Sequence, residues 1–161
     1  FYFIGEDRMD KRFYIDSFPY EIELTARICH ENAKILLENC TKEVSIDEFT
    51  VIDTLIACPG LSQADLARLI LKGKAHTGRF LMALEKKGLV ERHIEERDGK
   101  LIKVSTVTSK GHALYDEVIS KFKPAITEFD KIIPEEESRK IIEKLKELRT
   151  SIEKVSKIAF E

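Results

Sequence analysis

Cysteine is scarce in this sequence of 161 residues, which contains only Cys29, Cys40 and Cys58. Three is an odd number, and no two of these cysteines form a Cys-x-x-Cys pair. The pattern therefore argues against a disulfide scaffold and against a zinc ribbon. The four histidines are scattered and none belongs to a His-x-x-x-His pair, so we expect neither a bound metal ion nor any other cofactor.

Other features that the sequence lacks exclude further classes of protein. No stretch approaches the roughly 18 apolar residues that a membrane-spanning helix needs. Residues 1–5 lack the basic start and long apolar stretch of a secretory signal, so we expect a cytoplasmic protein with no membrane partner. There is no glycine-rich phosphate loop, no Gly-x-Ser-x-Gly motif and no catalytic pairing of cysteine with histidine or of two carboxylates. We therefore expect that the protein is not an enzyme.

Charge is distributed unevenly along the chain. The whole sequence has a net charge of −2, yet residues 68–103 include ten Lys or Arg and five Asp or Glu. That segment therefore carries +5, and the rest of the chain carries −7. A basic surface on an otherwise acidic protein is the electrostatic pattern expected of a nucleic-acid-binding protein.

The spacing of apolar residues predicts four helices in the first half of the chain. One runs from about residue 19 to residue 42, where apolar residues recur every three or four positions. Ser45 and Ser62 each precede an apolar run and have an acidic residue three positions later, which is typical of a helix N-cap. They predict helices that begin near residues 45 and 62. A fourth helix spans about 75–87 and ends at Gly88.

The second half of the chain begins with a change of period. Residues 89–94 and 101–106 indicate two short strands, and Asp98-Gly99 between them is a strong hairpin signal. We predict a helix from Ser109 up to Pro124, with helical structure resuming through residue 129. Pro134 and the three glutamates after it start the last helix. The apolar residues of this helix have the spacing of a seam that packs on a partner helix: Ile141, Leu145, Leu148, Ile152, Val155 and Ala159.

The predicted order of elements is that of a winged helix-turn-helix. The fold class is mainly α with a small β-hairpin wing, flanked by N- and C-terminal dimerisation helices. We predict an N-terminal arm and first dimerisation helix over residues 1–44, a DNA-binding domain over 45–108, and C-terminal dimerisation helices over 109–161. Only a helix or a narrow ribbon fits the major groove of duplex DNA, so this order suits a DNA-binding protein.

Four stretches between residues 45 and 111 carry a family resemblance. They are Leu-Ser-Gln-Ala-Asp-Leu-Ala at 61–67, Leu-Glu-Lys-Lys-Gly-Leu-Val-Glu-Arg at 84–92, Asp-Gly-Lys at 98–100 and Val-Thr-Ser-Lys-Gly at 107–111. In this order and at these spacings they resemble the multiple-antibiotic-resistance regulator (MarR) family. The flanking helices match that family in layout. The resemblance implies a homodimer joined through its terminal helices, with two recognition helices in successive major grooves of a pseudo-palindromic site.

The resemblance also implies a set of contacts. Residues at the start of the second helix of the motif would touch phosphates, the recognition helix would meet the major groove, and two cations would lie on the wing. The predicted DNA-binding residues are Ser62, Gln63, Lys74, His76, Thr77, Arg79, Arg97 and Lys100. The predicted dimerisation residues are Ile22, Ala26, Leu145, Leu148, Ile152 and Val155.

The sequence departs from the family's pattern at three positions. Gly78 stands where the family usually has a hydroxyl residue, at a cost in helix stability of up to ~1 kcal/mol relative to alanine. Ala83 replaces a frequent basic residue, and Lys100 takes a place often held by arginine. We interpret Lys86 and Lys87 as solvated charges that complement the C-terminal end of the helix dipole.

The sequence leaves the effector open between a small molecule and an oxidant. Cys29 lies in the first long helix, where thiol-sensing relatives keep a reactive cysteine, and is a candidate redox sensor. Its position on the apolar stripe favours instead a buried and inert thiol.

The function that we predict is a MarR-type regulator, a repressor that leaves its operator when the effector acts. The alternative is a winged-helix domain that binds other proteins and has no specific affinity for DNA. The charge of +5 over residues 68–103 argues against that alternative.

Overall fold

The computed structural model describes residue 15 and residues 17–156, which form six α-helices and two strands. The elements are α1 (Phe18–Cys40), α2 (Ile46–Ala57), α3 (Gln63–Leu69), α4 (Lys74–Lys86), β1 (Val90–Arg97), β2 (Lys100–Val107), α5 (Ser109–Ile132) and α6 (Glu135–Ser156). The predicted fold class, mainly helical with one antiparallel hairpin, is confirmed. No helix among the described residues is long and apolar enough to cross a membrane.

The chain divides into two compact units, residues 1–46 and residues 47–161. Helix α1 is the main described element of the first unit. It begins at Ser17, whose side chain accepts a hydrogen bond from Tyr20 N at 3.3 Å. Pro19 occupies the first turn, where its missing N–H costs no helical hydrogen bond. The helix ends at Thr41, where the backbone becomes extended.

The second unit has one hydrophobic core, to which α2, α3, α4, the hairpin and α5 all contribute. Its buried apolar side chains are Phe49, Val51, Ile52, Leu55, Leu66, Ala67, Leu81, Leu84, Leu89, Val90, Val104, Leu114 and Val118. Within the helices these residues recur at the helical period, as expected for elements that bury one face. The core thereby holds α4 and the hairpin, which are the two elements that a winged helix-turn-helix presents to DNA.

The hairpin pairs from Val90 opposite Val107 to Arg97 opposite Lys100. Its turn consists of Asp98 and Gly99, which have φ values of 51° and 72°, as a two-residue type I′ turn requires. Because so short a turn allows pairing to continue up to it, the strands reach closer to the tip than residues 89–94 and 101–106, the ranges predicted from the sequence. Arg97 and Lys100 therefore face each other directly beside the turn.

The segment after α4 packs against the start of α5. Thr108 N donates to Leu89 O at 3.1 Å, and Thr108 Oγ1 donates to Gly88 O at 2.7 Å. The same hydroxyl accepts a hydrogen bond from Gly111 N at 3.1 Å. Gly111 permits this close approach, because a Cβ at this position would lie 2.3 Å from Leu89 O and 2.6 Å from Val107 Cγ1. This joint fixes the first turn of α5 to the end of α4.

Helix α5 continues through Pro124, where the sequence led us to expect an interruption. Proline has no N–H, so the helix loses one backbone hydrogen bond at this position. The loss is local, and the preceding turns are anchored in the core by Leu114 and Val118. The expected break is therefore wrong, and α5 extends to Ile132.

Candidate nucleic-acid interface

Helix α3 begins at Ser62 with a reciprocal cap. Ser62 Oγ accepts a hydrogen bond from Asp65 N at 3.1 Å and donates one to Asp65 Oδ2 at 2.5 Å. Arg68, one turn further on, forms an ion pair with the same carboxylate. The hydrogen bond from Ser62 and the contact with Arg68 lower the pKa of Asp65 below its usual value. The Ser62 hydroxyl is thus engaged within its own helix, although the sequence predicted a phosphate contact for it.

The N-terminal turns of α4 present an exposed basic surface. Lys74, His76 and Arg79 are all exposed, and none of them forms a hydrogen bond or ion pair with another described residue. Gly73 is the N-cap and supplies no side-chain hydrogen bond, and the first turn has no acidic residue. The positive end of the helix dipole and the charges of Lys74 and Arg79 therefore act together on an approaching anion.

Thr77 does not belong to that surface, and its predicted DNA contact is wrong. The residue is completely buried, and its hydroxyl donates to Gly73 O at 3.2 Å. The reason lies in the helical period: Leu81 and Leu84 follow Thr77 by four and seven positions and are also buried. The same spacing, applied to Thr77 in the sequence, would have assigned it to the inward face.

Gln63 and Gly78 meet where α3 packs against α4. Gln63 is half-buried, and its Oε1 is buried with no hydrogen-bond partner among the described residues. A Cβ on Gly78 would lie 3.1 Å from Gln63 Nε2, closer than an ordinary van der Waals contact. The Gln63 amide therefore occupies space on α4 that any larger residue at position 78 would restrict.

Arg97 is held by residues of its own chain. Its Nη1 donates to Gly60 O at 2.7 Å, and its Nη2 and Nε donate to Glu95 Oε2 at 2.6 and 3.0 Å. His93 Nε2 lies 2.8 Å from the other oxygen of Glu95. Arg97 and then His93 lower the pKa of Glu95 below its usual value. Arg97 thus ties the hairpin to the α2–α3 turn, whereas Lys100 on the opposite strand is exposed and forms no ion pair with a described residue.

We expect the Arg97→Ala substitution to loosen the wing. The guanidinium donates to the Glu95 carboxylate and to the Gly60 carbonyl oxygen at the same time, which the single ammonium group of lysine does not reproduce, so Arg97→Lys is expected to have the same effect. Hydrogen exchange followed by mass spectrometry should reveal faster exchange of the backbone amides of residues 91–106 in both variants. Lys100→Ala is the matched control and should leave exchange unchanged. Unaltered exchange in Arg97→Ala would mean that this residue does not position the wing.

Lys87 also has a structural role that the sequence interpretation missed. Its Nζ donates to both carboxylate oxygens of Glu48, at 2.7 and 2.9 Å, and the Glu48 residue is only 8% exposed. The backbone carbonyl of Lys87 accepts a hydrogen bond from Lys110 Nζ at 2.9 Å. The interpretation of Lys87 as a solvated charge is therefore wrong, while Lys86 is exposed. The C-terminal end of α4 is fixed to α2 by this ion pair.

The model of the MarR family matches residues 44–102, which begin two residues before α2 and end at the third residue of β2. These residues form a MarR-family domain. The resemblance inferred from the sequence is thereby confirmed. A search of curated proteins gives no match.

Solved structures share the fold over most of the chain. The regulator MepR from Staphylococcus aureus in its DNA-binding conformation has a TM-score of 0.72 and 21% identity, over 84% of this chain and 98% of that chain. MepR in complex with DNA has a TM-score of 0.69 and 21% identity, over 84% and 96% of the two chains. The regulator PcaV from Streptomyces coelicolor, in complex with its natural ligand, has a TM-score of 0.66 and 14% identity, over 87% and 97%. At these identities the likeness establishes the fold.

The helices that flank the MarR-family domain leave apolar side chains exposed. In α1, Ile22 is half-buried and Ala26 is exposed. In α6, Leu145 and Leu148 are half-buried and Ile152 is 48% exposed. The side chain of Val155 lies outside the described part of the structure. The described residues of the predicted dimer seam are therefore accessible in the single chain.

Cys29 is exposed in the single chain, contrary to the buried thiol that the sequence favoured. The apolar neighbours Ile28 and Ile35 on α1 are also more than half exposed, at 52% and 54%. Apolar side chains of this helix are therefore not all buried in the single chain. Among the described residues, no group of three or more His, Cys, Asp or Glu side chains is arranged to bind a metal ion.

Tyr115 on α5 contacts two residues of α2. Phe49 and Tyr115 stack with ring centroids 5.7 Å apart, and Tyr115 Oη donates to Asp53 Oδ1 at 3.0 Å. Burial and then this hydrogen bond raise the pKa of Tyr115 above its usual value.

A cleft of about 110 Å³ lies at the α3–α4 turn, lined by Ala64, Ala67 and other residues of the turn. This cleft is small beside the roughly 300–1,000 Å³ of a drug-sized ligand site.

Proposed function

We propose that this chain is a transcriptional regulator that binds duplex DNA as a homodimer and represses by occupying a pseudo-palindromic operator. The observation that carries the proposal is the exposed basic surface of α4, where Lys74 and Arg79 flank the imidazole of His76 and form no ion pair with another described residue. A buried core holds this helix firmly, and its N-terminal turns are the part that a recognition helix inserts into the major groove. Arginine there can donate two hydrogen bonds to one guanine edge.

The wing adds a second point of contact in this proposal. Lys100 is exposed beside the two-residue turn, while Arg97 braces the hairpin against Gly60. We therefore revise the two predicted wing contacts: Lys100 reaches the DNA backbone, and Arg97 positions the wing that carries it. Such a backbone contact contributes affinity with little sequence preference.

Relatives of the same fold support the proposal by what they bind. One solved structure is MepR in complex with DNA, and another is PcaV in complex with its natural ligand. By analogy, an effector of this chain would shift the separation of the two recognition helices. A coupling free energy of about 1–3 kcal/mol changes DNA affinity roughly 5- to 150-fold, which is enough for a switch.

The homodimer rests on the accessible apolar residues of α1 and α6. Leu145, Leu148 and Ile152 follow one another at spacings of three and four, the seam of a helix that packs on another helix. A twofold dimer in turn requires an inverted repeat, with half-sites about one helical turn of DNA apart or multiples of it.

Oxidation of Cys29 is the second effector hypothesis, and it rests on the exposure of the thiol. Peroxide treatment of the reduced protein should release DNA if Cys29 is the sensor, and a Cys29→Ser variant should stay bound. Unchanged DNA binding of the original protein after peroxide would count against this hypothesis and leave the small-molecule effector.

Selection from randomised duplex DNA, followed by titration of the selected duplex at several salt concentrations, tests the proposal. We expect enrichment of an inverted repeat and an affinity that falls steeply with salt. Arg79→Ala should relax the base preference, whereas Lys100→Ala should reduce the salt slope by about 2, one for each wing of the dimer, and weaken binding to all sequences alike. Arg139→Ala on α6 is the control and should change neither quantity.

The alternative function, a domain that binds proteins without specific affinity for DNA, predicts a different result. No sequence would then be enriched, and binding at low salt would be negligible. Unfolding and refolding the protein to remove any bound ligand, and then repeating the selection, distinguishes this alternative from a regulator purified in its effector-bound form. Failure after refolding would contradict the proposed function.

A further inference from the structure

The carboxamide of Gln63 is incompletely satisfied in the unbound chain. Its Oε1 is buried and has no hydrogen-bond donor among the described residues. A buried acceptor without a donor is unfavourable, so a rearrangement that supplies a donor gains the hydrogen bond that is missing here. The neighbouring polar groups at the start of α3 differ in this respect, since Ser62 and Asp65 bond to each other.

Gly78 gives the Gln63 side chain its place on the recognition helix. Apart from its chain neighbours and the backbone of its own helix, a Cβ at position 78 would meet only Gln63 Nε2, at 3.1 Å. Glycine in a helix interior lowers helix stability, so this position needs another reason for its missing side chain. The structure supplies one, since Gly78 leaves a slot for the amide next to the exposed Arg79.

We propose that Gln63 is a specificity-determining residue that leaves this slot on DNA binding and reads the major-groove edge of one adenine. This inference rests on the proposed function. The two atoms of the carboxamide match the adenine edge, because Nε2 donates to N7 and Oε1 accepts from the N6 amino group. The pairing supplies the donor that Oε1 lacks in the unbound chain.

The chemistry of a phosphate explains the same geometry less well. Phosphate oxygens accept hydrogen bonds and donate none, so a phosphate contact would engage Nε2 and leave Oε1 without a partner. The sequence predicted such a phosphate contact for Gln63, and the buried oxygen is the observation that argues for the base edge instead.

The test uses the full chain and the duplex obtained by selection. Each symmetric A·T pair of that duplex is replaced in turn in both half-sites, and each adenine is also replaced by 7-deazaadenine, which lacks the N7 acceptor. At one half-site position, we expect both changes to weaken binding of the original protein about 10-fold or more. Gln63→Ala should lose that preference and bind the altered and unaltered duplexes equally.

Gln63→Glu sharpens the test, because glutamate has nearly the same shape but only accepts hydrogen bonds. The variant should change the preference at that position from adenine towards cytosine, whose N4 amino group donates. Side-chain amide resonances in the NMR spectrum follow the movement directly: the Gln63 NH2 signal should shift on adding the selected duplex. In the absence of DNA, Gly78→Ala should shift it as well.

Different failures have different meanings in this design. If the original protein binds no duplex, the proposed function fails and this inference fails with it. If the original protein selects an inverted repeat but Gln63→Ala weakens binding to every duplex equally and lowers the salt slope, Gln63 contacts phosphate and this inference alone is wrong. Circular dichroism before each titration establishes that the variants are folded.

Discussion

Gly111→Ala is expected to lower the free energy of unfolding by about 3 kcal/mol, at the upper end of the usual cost of overpacking. The added Cβ would lie 2.3 Å from Leu89 O and 2.6 Å from Val107 Cγ1. The nearer of these atoms belongs to the backbone, so no side-chain rotation can relieve the overlap. Relief requires that the first turn of α5 move away from the end of α4, which breaks the hydrogen bond from Thr108 N to Leu89 O.

Urea unfolding followed by circular dichroism measures this loss. Gly73→Ala is the control, since a Cβ there has only one neighbour within 4 Å, His76 Nδ1 at 3.9 Å, and only the smaller cost of replacing an N-cap glycine by alanine, about 1 kcal/mol or less, is expected. The slope of the transition should be the same for the original protein and both variants, as for a change in stability alone. Equal stability of Gly111→Ala and the control would show that α5 can move away from the end of α4 without lowering the free energy of unfolding.

This joint explains why the stretch 107–111 could be recognised in the sequence but not understood from it. The motif Val-Thr-Ser-Lys-Gly identified the change from strand to helix at the correct place. That Gly111 must lack a Cβ follows from Leu89, 22 positions earlier, and no local pattern contains that information. The local features of the fold, namely the cap at Ser62, the Asp98-Gly99 turn and the start of the last helix, could all be predicted because they depend on neighbours in sequence.

In the candidate interface, too, the features that depend on neighbours in sequence could be predicted, whereas those that depend on distant residues could not. Lys74, His76 and Arg79 were predicted from the polar face of one helix and are exposed as expected. The intramolecular partners of Arg97 and Lys87 could not be predicted because they lie 37 and 39 positions away, at Gly60 and Glu48. The sequence alone does not identify the partner of an arginine or lysine. A basic side chain that forms an ion pair within the fold therefore cannot be distinguished in the sequence from one that is free to contact DNA.

Leu148→Asp is expected to convert the dimer into monomers and to weaken operator binding by more than 100-fold. Leu148 is half-buried in the single chain and lies between Leu145 and Ile152 on the apolar seam of α6. A carboxylate there would be buried without a partner when two copies associate, and the cost of burying such a charge opposes association. Loss of the dimer separates the two recognition helices, and the gain from joining two binding modules is typically about 10²- to 10⁴-fold.

Thr150→Asp provides the matched control, because it introduces the same charge two positions away, on the opposite side of α6, where the residue is exposed. This variant should remain dimeric and bind the selected duplex like the original protein. Sedimentation equilibrium gives the molecular mass of each variant, and a titration of the same duplex gives its affinity. A dimeric Leu148→Asp would exclude the α6 seam from the interface. Monomers that still bind an inverted repeat with undiminished affinity would contradict the dimeric mode of binding itself, because a single recognition helix would then account for the whole affinity.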